Sequence, residues 1–433
     1  MFLLLLRLPL TLTFVVAASL ALAQGIDSRL EQRASALAAE ALHADLGYSL
    51  VQSLTTEVGP RLAGTEAEER ARQWAVGKLK ALGFSNVRVE PFELPVWERG
   101  VEWAQISSPY PQPLVVSALG GSTATGADGV EGEVAAFASV KALRAAPAEN
   151  LNGKIVFIDE VMTRTQDGSG YGVAAAKRRE AAYVAEEKGA AAVLIRSVGT
   201  SQHRFAHTGQ MRRLTEAGDS SGVPAAALSA PDADQLQRIL ASHGSVTLRM
   251  VLTPEQRPAG RSGNVIAEVP GAEAADEIVL VGAHLDSWDL GTGAVDDGAG
   301  VGIVVAAAKQ VMDALPKGPR RTIRVVLFGA EEVGLVGAQA YASAHAQELD
   351  KHVVASESDF GAGRIWRFET GVAEDRITAA QDLGIVIRAM GAATGGNSAS
   401  GGPDMKYIRE AGVPVVGLKQ NGWDYFDLHH TPN

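Results

Sequence analysis

The sequence predicts an α/β protein: a mixed, mostly parallel sheet flanked by helices, with an inserted, β-rich domain. Three observations predict it. From residue 261 to the end, short apolar strands alternate with helical stretches, the pattern of a largely parallel sheet. From about 114 to 256 the character changes to short strands with small loops. The chain has 433 residues, 46% hydrophobic and 21% charged, which suits two or three globular domains and excludes a disordered or collagen-like chain.

In chain order, residues 1–23 read as a cleavable export signal. Arg7 is the early charge, an apolar run follows to Leu22, and Ala21-Leu22-Ala23 supplies the small-x-small cleavage pattern. Arg7 and Pro9 interrupt the run of about 20 apolar residues that a membrane-spanning helix needs. No later segment has the length and apolarity to span, so the mature chain is expected in a bacterial periplasm or outside a cell. Residues 27–83 read as helices broken at Gly59-Pro60. Thr65 and Glu68 form a capping box, Trp74, Leu79 and Leu82 an apolar stripe, and Gly83 a stop. Residues 87–94 alternate as a strand, and the prolines from Pro95 to Pro113 suggest a crossing segment.

Residues 24–113 and 257–433 are thus expected to form one split domain around an insert at 114–256. Within the insert, 154–159, 191–195 and 223–228 read as strands, and 181–188 and 232–240 as helices. Pro254, Pro258 and Gly260 mark the exit. Beyond it, 278–283, 322–329, 353–357 and 413–418 read as strands and 298–315 as an Ala/Val-rich helix.

Charge and cysteine content narrow the function. Lys plus Arg number 39 against 50 Asp plus Glu, a net charge of −11. Without a basic run, nucleic acid is a poor partner. Cysteine is absent, which excludes disulfides, zinc ribbons, iron–sulfur clusters and cysteine nucleophiles. A metal must be held by His, Asp and Glu.

Such residues gather at the strand ends, where open α/β sheets place ligands. The first strand runs into His284-Leu285-Asp286, and the next helix opens on Asp296-Asp297. The 322–329 strand leads to Glu331-Glu332, the 353–357 strand to Asp359, and the 413–418 strand to His429-His430. Hard and borderline ligands of this kind suit two zinc ions sharing a carboxylate. Of two adjacent glutamates, one can bind metal while the other accepts a proton from water.

These residues resemble a known family. His284-Leu285-Asp286-Ser287-Trp288-Asp289 and Gly293-Ala294-Val295-Asp296-Asp297-Gly298-Ala299-Gly300 are similar to the signature of the co-catalytic zinc exopeptidases that include the bacterial leucyl aminopeptidases. The Ser-Trp-Asp variant, Glu357-Ser358-Asp359 and the segment from Phe426 to Thr431 resemble the carboxypeptidase Q group within it. The resemblance covers nearly all of the chain after the signal. It implies that the insert is a protease-associated domain and that the cofactor is two Zn²⁺. It implies His284 and Asp359 on one ion, Glu332 and His430 on the other, Asp296 bridging, Glu331 as general base and Asp286 orienting His284. His430 is favoured over His429 because the family ligand directly precedes Thr or Ser. The implied activity is hydrolysis of small peptides or dipeptides by metal-activated water, and a homodimer is implied by the resemblance alone. Family members continue with an Asp and a final helix, whereas the sequence ends at Asn433, so His430 is expected to be loosely held.

Other readings weigh less. A one-zinc glutaminyl cyclase would not need the full ligand set, and a receptor-like relative without metals would lack ligands. Gly291-Thr292-Gly293 fails as a dinucleotide fingerprint because Asp296 stands at the third glycine. Residues 218–222 read as a glycine–serine turn. His203 and His207 lack the zincin glutamate, Arg204 following instead. His207-Thr208-Gly209 resembles part of the family's insert and reads as a cleft lining or a surface loop. Trp288 reads as structural. Arg364, Arg367, Lys406 and Lys419 lie near the relevant loops and read as ordinary surface charge.

Overall fold

A computed structural model describes residues 26–212 and 221–433. The export signal read in residues 1–23, and residues 218–220 of the glycine–serine turn, lie outside the described residues. The fold is mixed α/β with two mixed sheets flanked by helices.

The first sheet has the order Ser85–Glu98, Glu255–Val269, Arg321–Phe328, Ala274–His284, His352–Glu357, Val415–Gln420, Ile365–Gly371 and Ala393–Thr394. The central four strands, from Arg321–Phe328 to Val415–Gln420, are parallel, and the pairs joining them to their outer neighbours are antiparallel. Helices cover both faces, which is why the central strands are nearly continuous apolar runs. On one face Leu50, Leu54, Leu79, Val301 and Val305 from three helices pack on Val265 and Val325. On the other, Tyr341 and Ile408 pack with Phe328, Ile278 and Val415. Each fully buried side chain of this size contributes about 1.5–3 kcal/mol.

The second sheet has the order Gln112–Leu114, Glu102–Ser108, Thr247–Leu252, Val130–Phe137, Ile155–Ile158, Ala192–Arg196, Ala225–Leu228 and Val116–Ala118. Its middle strands, from Val130–Phe137 to Ala225–Leu228, are parallel. The helix Ser169–Glu187 covers one face with its alanines, and Ala230–His243 covers the other with Leu236 and Ile239. Each of these cores also takes residues from the first unit. Tyr425 and Phe426 enter one, and Leu62 and Trp288 the other. The two sheets therefore meet along the carboxyl ends of the first sheet's strands.

The segment between Pro95 and Pro113 is not an irregular crossing. Pro95 lies within Ser85–Glu98 where the register shifts between Leu94 and Val96, opposite the stretch holding Pro258. Pro113 sits in an edge strand. Bulges and edges are where a strand tolerates a residue without an N–H. The second sheet consequently begins at Glu102, and Glu255–Val269 is a long strand of the first sheet. The helical region has a further break, with helices Ser28–Ala41, Leu46–Glu57 and Glu66–Ala81. Thr65 caps the last of these, its side chain accepting from Glu68 N, while the Glu68 carboxylate accepts from Gly64 N at 2.8 Å.

Candidate metal centre

The strand Ala274–His284 ends with His284 fully buried. Its Nδ1 lies 2.9 Å from the Asp286 carbonyl, which directs Nε2 at Asp296 Oδ1, 3.1 Å away. Asp359 Oδ1 is 3.7 Å from the same Nε2. The Asp286 carboxylate stands 3.6 Å from His284 Nδ1. Its closer partners are the Glu331 and Glu332 N–H groups, which donate to it at 3.0 and 3.3 Å. A single buried aspartate thus fixes both the histidine and the turn that carries the two glutamates. Asp297 accepts from His284 N and Gly300 N, tying the same loop to the start of Ala299–Ala314.

His429 and His430 stack with ring centroids 3.5 Å apart, and both rings face Asp296. Their Nε2 atoms lie 3.4 and 3.3 Å from Asp296 Oδ2. His430 alone also reaches Glu332, at 2.9 Å. Its Nδ1 is 3.2 Å from the Thr208 carbonyl, which favours the tautomer with Nε2 free. His430 is buried, not loosely held: Thr208 N donates to its carbonyl at 3.0 Å. The loop 207–209 lies behind this pair, not on the surface. His207 Nδ1 donates to the His429 carbonyl at 2.7 Å, and burial lowers its pKa to about 4.

The electrostatics of this cluster suit a bound cation. Asp286, Asp296, Asp297, Glu331, Glu332 and Asp359 share one small region. Burial, then the charges of Asp359 and Glu332, pushes Glu331 well above the usual carboxylate range, although His284 opposes this. Burial alone would lower His284, but Asp286, Asp296, Asp359 and Glu331 together hold it well above its ordinary value. Asp296 Oδ2 and Glu332 Oε1 are buried without a well-aligned hydrogen bond. Orphaned acceptors of this kind are costly unless a cation or proton meets them. His284, Asp296 and Glu332 present ligand atoms within 4.8 Å of one another, as do Asp296, His429 and His430, and His284, Asp297 and Asp359. The donor set is oxygen and imidazole nitrogen, which fits divalent zinc.

A cleft of about 370 Å³ opens on this cluster. Asp296, Glu331, Glu332, Asp359 and His430 line it from the first sheet, and Tyr171, Arg178, Arg179 and Arg212 from the second. Residue-by-residue reading missed the second set, as well as His429's approach to Asp296. Arg364, Arg367, Lys406 and Lys419 do not line this cleft. Arg367 and Lys419 meet Glu369, Lys406 meets Glu410, and Arg364 donates to the Met390 carbonyl. Trp288 is buried edge-on against Trp97, with its ring 5.8 Å from that of His430.

This fold, with a carboxylate–imidazole cluster at its strand ends, defines a metal-dependent hydrolase. Residues 264–433 match the family described as Peptidase family M28. Carboxypeptidase Q of Bos taurus is 32% identical over 386 residues, 89% of this chain and 79% of that protein. The crystal structure of a Peptidase M28 precursor from Shewanella amazonensis SB2B has a TM-score of 0.91 at 51% identity, covering 94% of this chain and 91% of that one. A zinc aminopeptidase from Bacillus subtilis shares the fold, with a TM-score of 0.64 at 22% identity over 90% of this chain and 88% of that one. The chain belongs to peptidase family M28 and is a metallopeptidase.

Proposed function

We propose that this protein is an exported dizinc exopeptidase that hydrolyses small peptides. Export rests on the leader pattern in residues 1–23. In this reading His284 and Asp359 would hold one ion, Glu332 and His430 the other, and Asp296 would serve both. The observation that carries it is Asp296, whose two oxygens face His284 on one side and His429 and His430 on the other. When bound, the ions supply Lewis acidity, polarising the scissile carbonyl and making water acidic enough to ionise near neutral pH. The Bacillus subtilis neighbour is a zinc aminopeptidase, which supports the choice of metal.

The chain's own residues do the rest. The Asp286 carbonyl fixes the ring of His284, and the Asp286 carboxylate holds the Glu331–Glu332 turn through two N–H groups. Glu331, beside the ligand Glu332 and lining the cleft, takes a proton from the attacking water on its carboxylate and returns it to the leaving amine.

The test is Glu331→Gln. Metal content should remain about two zincs per chain, with turnover of a dipeptide reduced about 10²–10⁴-fold. An active variant, or a wild-type protein that cleaves peptides after full chelation, would overturn the assignment.

A further inference from the structure

The two sheets are joined by two crossings that run side by side. Glu98 ends a strand of the first sheet and Glu102 begins one of the second, with Arg99, Gly100 and Val101 between them. Thr253 and Pro254 make the return, between Thr247–Leu252 and Glu255–Val269. The crossings are bonded to each other. Val101 N donates to Thr253 Oγ1 at 2.9 Å, and Thr253 N donates to the Val101 carbonyl at 3.0 Å. A Cβ on Gly100 would come within 1.8 Å of the Thr253 carbonyl oxygen, so glycine is what lets the two backbones pass this closely. Short connections at element ends are where the units of a chain pivot. Whatever braces these two sets the angle between the sheets.

Arg99 is such a brace. Its side chain is 11% exposed, and each nitrogen of its guanidinium has an acceptor. Nε and Nη2 grip the two carboxylate oxygens of Asp289, at 2.7 and 2.9 Å. Nη2 also donates to Thr208 Oγ1 at 3.1 Å. Nη1 donates to Glu102 Oε2 at 2.8 Å, to Ser117 Oγ at 3.0 Å and to the Ala118 carbonyl at 2.8 Å. Asp289 belongs to the first unit, and the other four partners belong to the second. A bidentate guanidinium–carboxylate pair is among the strong polar contacts, and a nearly buried one is little screened by salt. Arg99 and Asp289 line a recess of about 440 Å³ that is separate from the cleft over Asp296, so neither is placed to touch substrate.

Each end of the brace leads to the candidate metal centre. Asp289 lies in the loop between His284 and Asp296, next to Trp288. The Trp288 ring packs between Trp97 and His430, with centroid distances of 6.4 and 5.8 Å. The Arg99 guanidinium lies 5.1 Å from the Trp97 centroid, so it also backs this stack. At the other end, Thr208 brackets His430. Its N–H donates to the His430 carbonyl at 3.0 Å, and its carbonyl stands 3.2 Å from His430 Nδ1. The Thr208 hydroxyl donates to the Ala118 carbonyl at 2.8 Å while accepting from Arg99, which fixes the residue from both sides.

We propose that Arg99 is a positioning residue for the metal centre: by joining Asp289 to Thr208 across the hinge, it sets the separation of His430 from Asp296 and Glu332. This deepens the dizinc reading and rests on it. In that reading the ion on His284 and Asp359 would draw its ligands from the first sheet alone. The other would need His430, which is seated by Thr208 of the second unit and reaches Glu332 at 2.9 Å. Loosening the hinge should therefore release one ion and spare the other.

The test uses the zinc-loaded full chain and Arg99→Gln, which loses the charge and the fork. A chelator titration should show one zinc held about 10–100-fold less tightly, with the other as in the wild type. Asp289→Asn breaks the same contact from the first unit and should match it. Arg99→Lys keeps the charge but cannot grip both oxygens of Asp289 and reach Thr208, so it should fall between. A residue that only stabilised the fold would weaken both ions together or neither, and either result overturns the proposal. A second readout needs no metal. The chain has no cysteine, so Glu187→Cys and Lys317→Cys can carry a pair of spin labels at exposed sites, one on each unit. In the metal-free protein the distribution of label distances should be broader with Arg99→Gln than without it. An equally narrow distribution overturns the proposal even where zinc is lost. A wild-type protein that takes up fewer than two zincs would sink the dizinc reading, and the label distances would then decide by themselves whether Arg99 sets the separation.

Discussion

Lys177 precedes Arg178 on the same helix and is fully buried. Its ammonium donates to the Glu160 carbonyl, and it has no ion-pair partner among the described residues. Burial pushes its pKa down to about 7, against the pull of Glu160 and Asp159. A lysine in the unfolded chain titrates near about 10.4. Below about pH 7 both states are charged and the folded protein bears the full burial penalty. Between about 7 and about 10.4 the unfolded chain binds one proton more, so stability rises with pH. Lys177→Met should remove about 1.4 kcal/mol per pH unit from that slope. Urea unfolding of both proteins from pH 7 to 10 measures it, and parallel slopes would mean that Lys177 stays charged inside. The same three residues show a limit of sequence reading. Lys177-Arg178-Arg179 in an alanine-rich helix looks like a solvated charge run. Lys177 and Arg178 are buried because of what packs against the helix, and for Arg178 that partner, His430, is distant in sequence. His284, Asp296 and Glu332 were legible for the opposite reason. Their chemistry is tied to strand ends, and strand ends can be read from a local apolar run.

At the scale of elements, the loop 207–209 shows how a glycine can serve a site it does not touch chemically. Gly209 has φ +133°, and a Cβ there would come within 2.6 Å of Arg178 Nη1 and 2.7 Å of His430 Nδ1. Gly209→Ala should therefore strain the backbone and push His430 or Arg178 aside. On the proposed dizinc reading, the expected result is about 10–100-fold weaker retention of one zinc in a chelator titration, the size seen when a ligand loses its supporting shell. The other zinc should be held as in the wild type. Equal loss of both ions, or of neither, would show that the loop does not seat His430. Elements with strong apolar runs, such as Ile155–Ile158 and Arg321–Phe328, were legible almost to their ends. Val130–Phe137, Thr247–Leu252 and Ile365–Gly371 were not. Their alternation is diluted by Glu, Arg and Thr, and their pairing comes from strands far away in the chain. The prolines of 95–113 misled for a related reason. A proline signals a break locally, but a bulge or a sheet edge absorbs it once the sheet exists.

At the scale of the molecule, the cleft lies between two sheets that share no strand. The segment 425–431 joins them. Tyr425 and Phe426 pack into the core of the second sheet, while His429 and His430 face Asp296 at the carboxyl end of the first. Asp427 ties the segment down. Arg164 Nη2 donates to its carboxylate at 2.6 Å and Thr200 Oγ1 at 2.7 Å, and Thr200 N donates to the Phe426 carbonyl at 3.0 Å. Both donors belong to loops of the second sheet. If the proposed centre depends on this docking, Asp427→Ala should weaken metal binding without altering any ligand. The expected loss is about 10–100-fold in affinity for the ion that His430 holds. Amide exchange should rise across 425–431 and stay unchanged in the strands 155–158 and 192–196. The conservative Asp427→Asn keeps one acceptor for Thr200 but loses the charge that pairs with Arg164, so it should fall between the two. Faster exchange with undiminished zinc affinity would mean that His430 is placed by the 207–209 loop alone. Unchanged exchange would mean that the aromatic pair Tyr425 and Phe426 carries the docking. In either case the second sheet, far from Asp296 and Glu332 in sequence, would determine whether the proposed ligands meet.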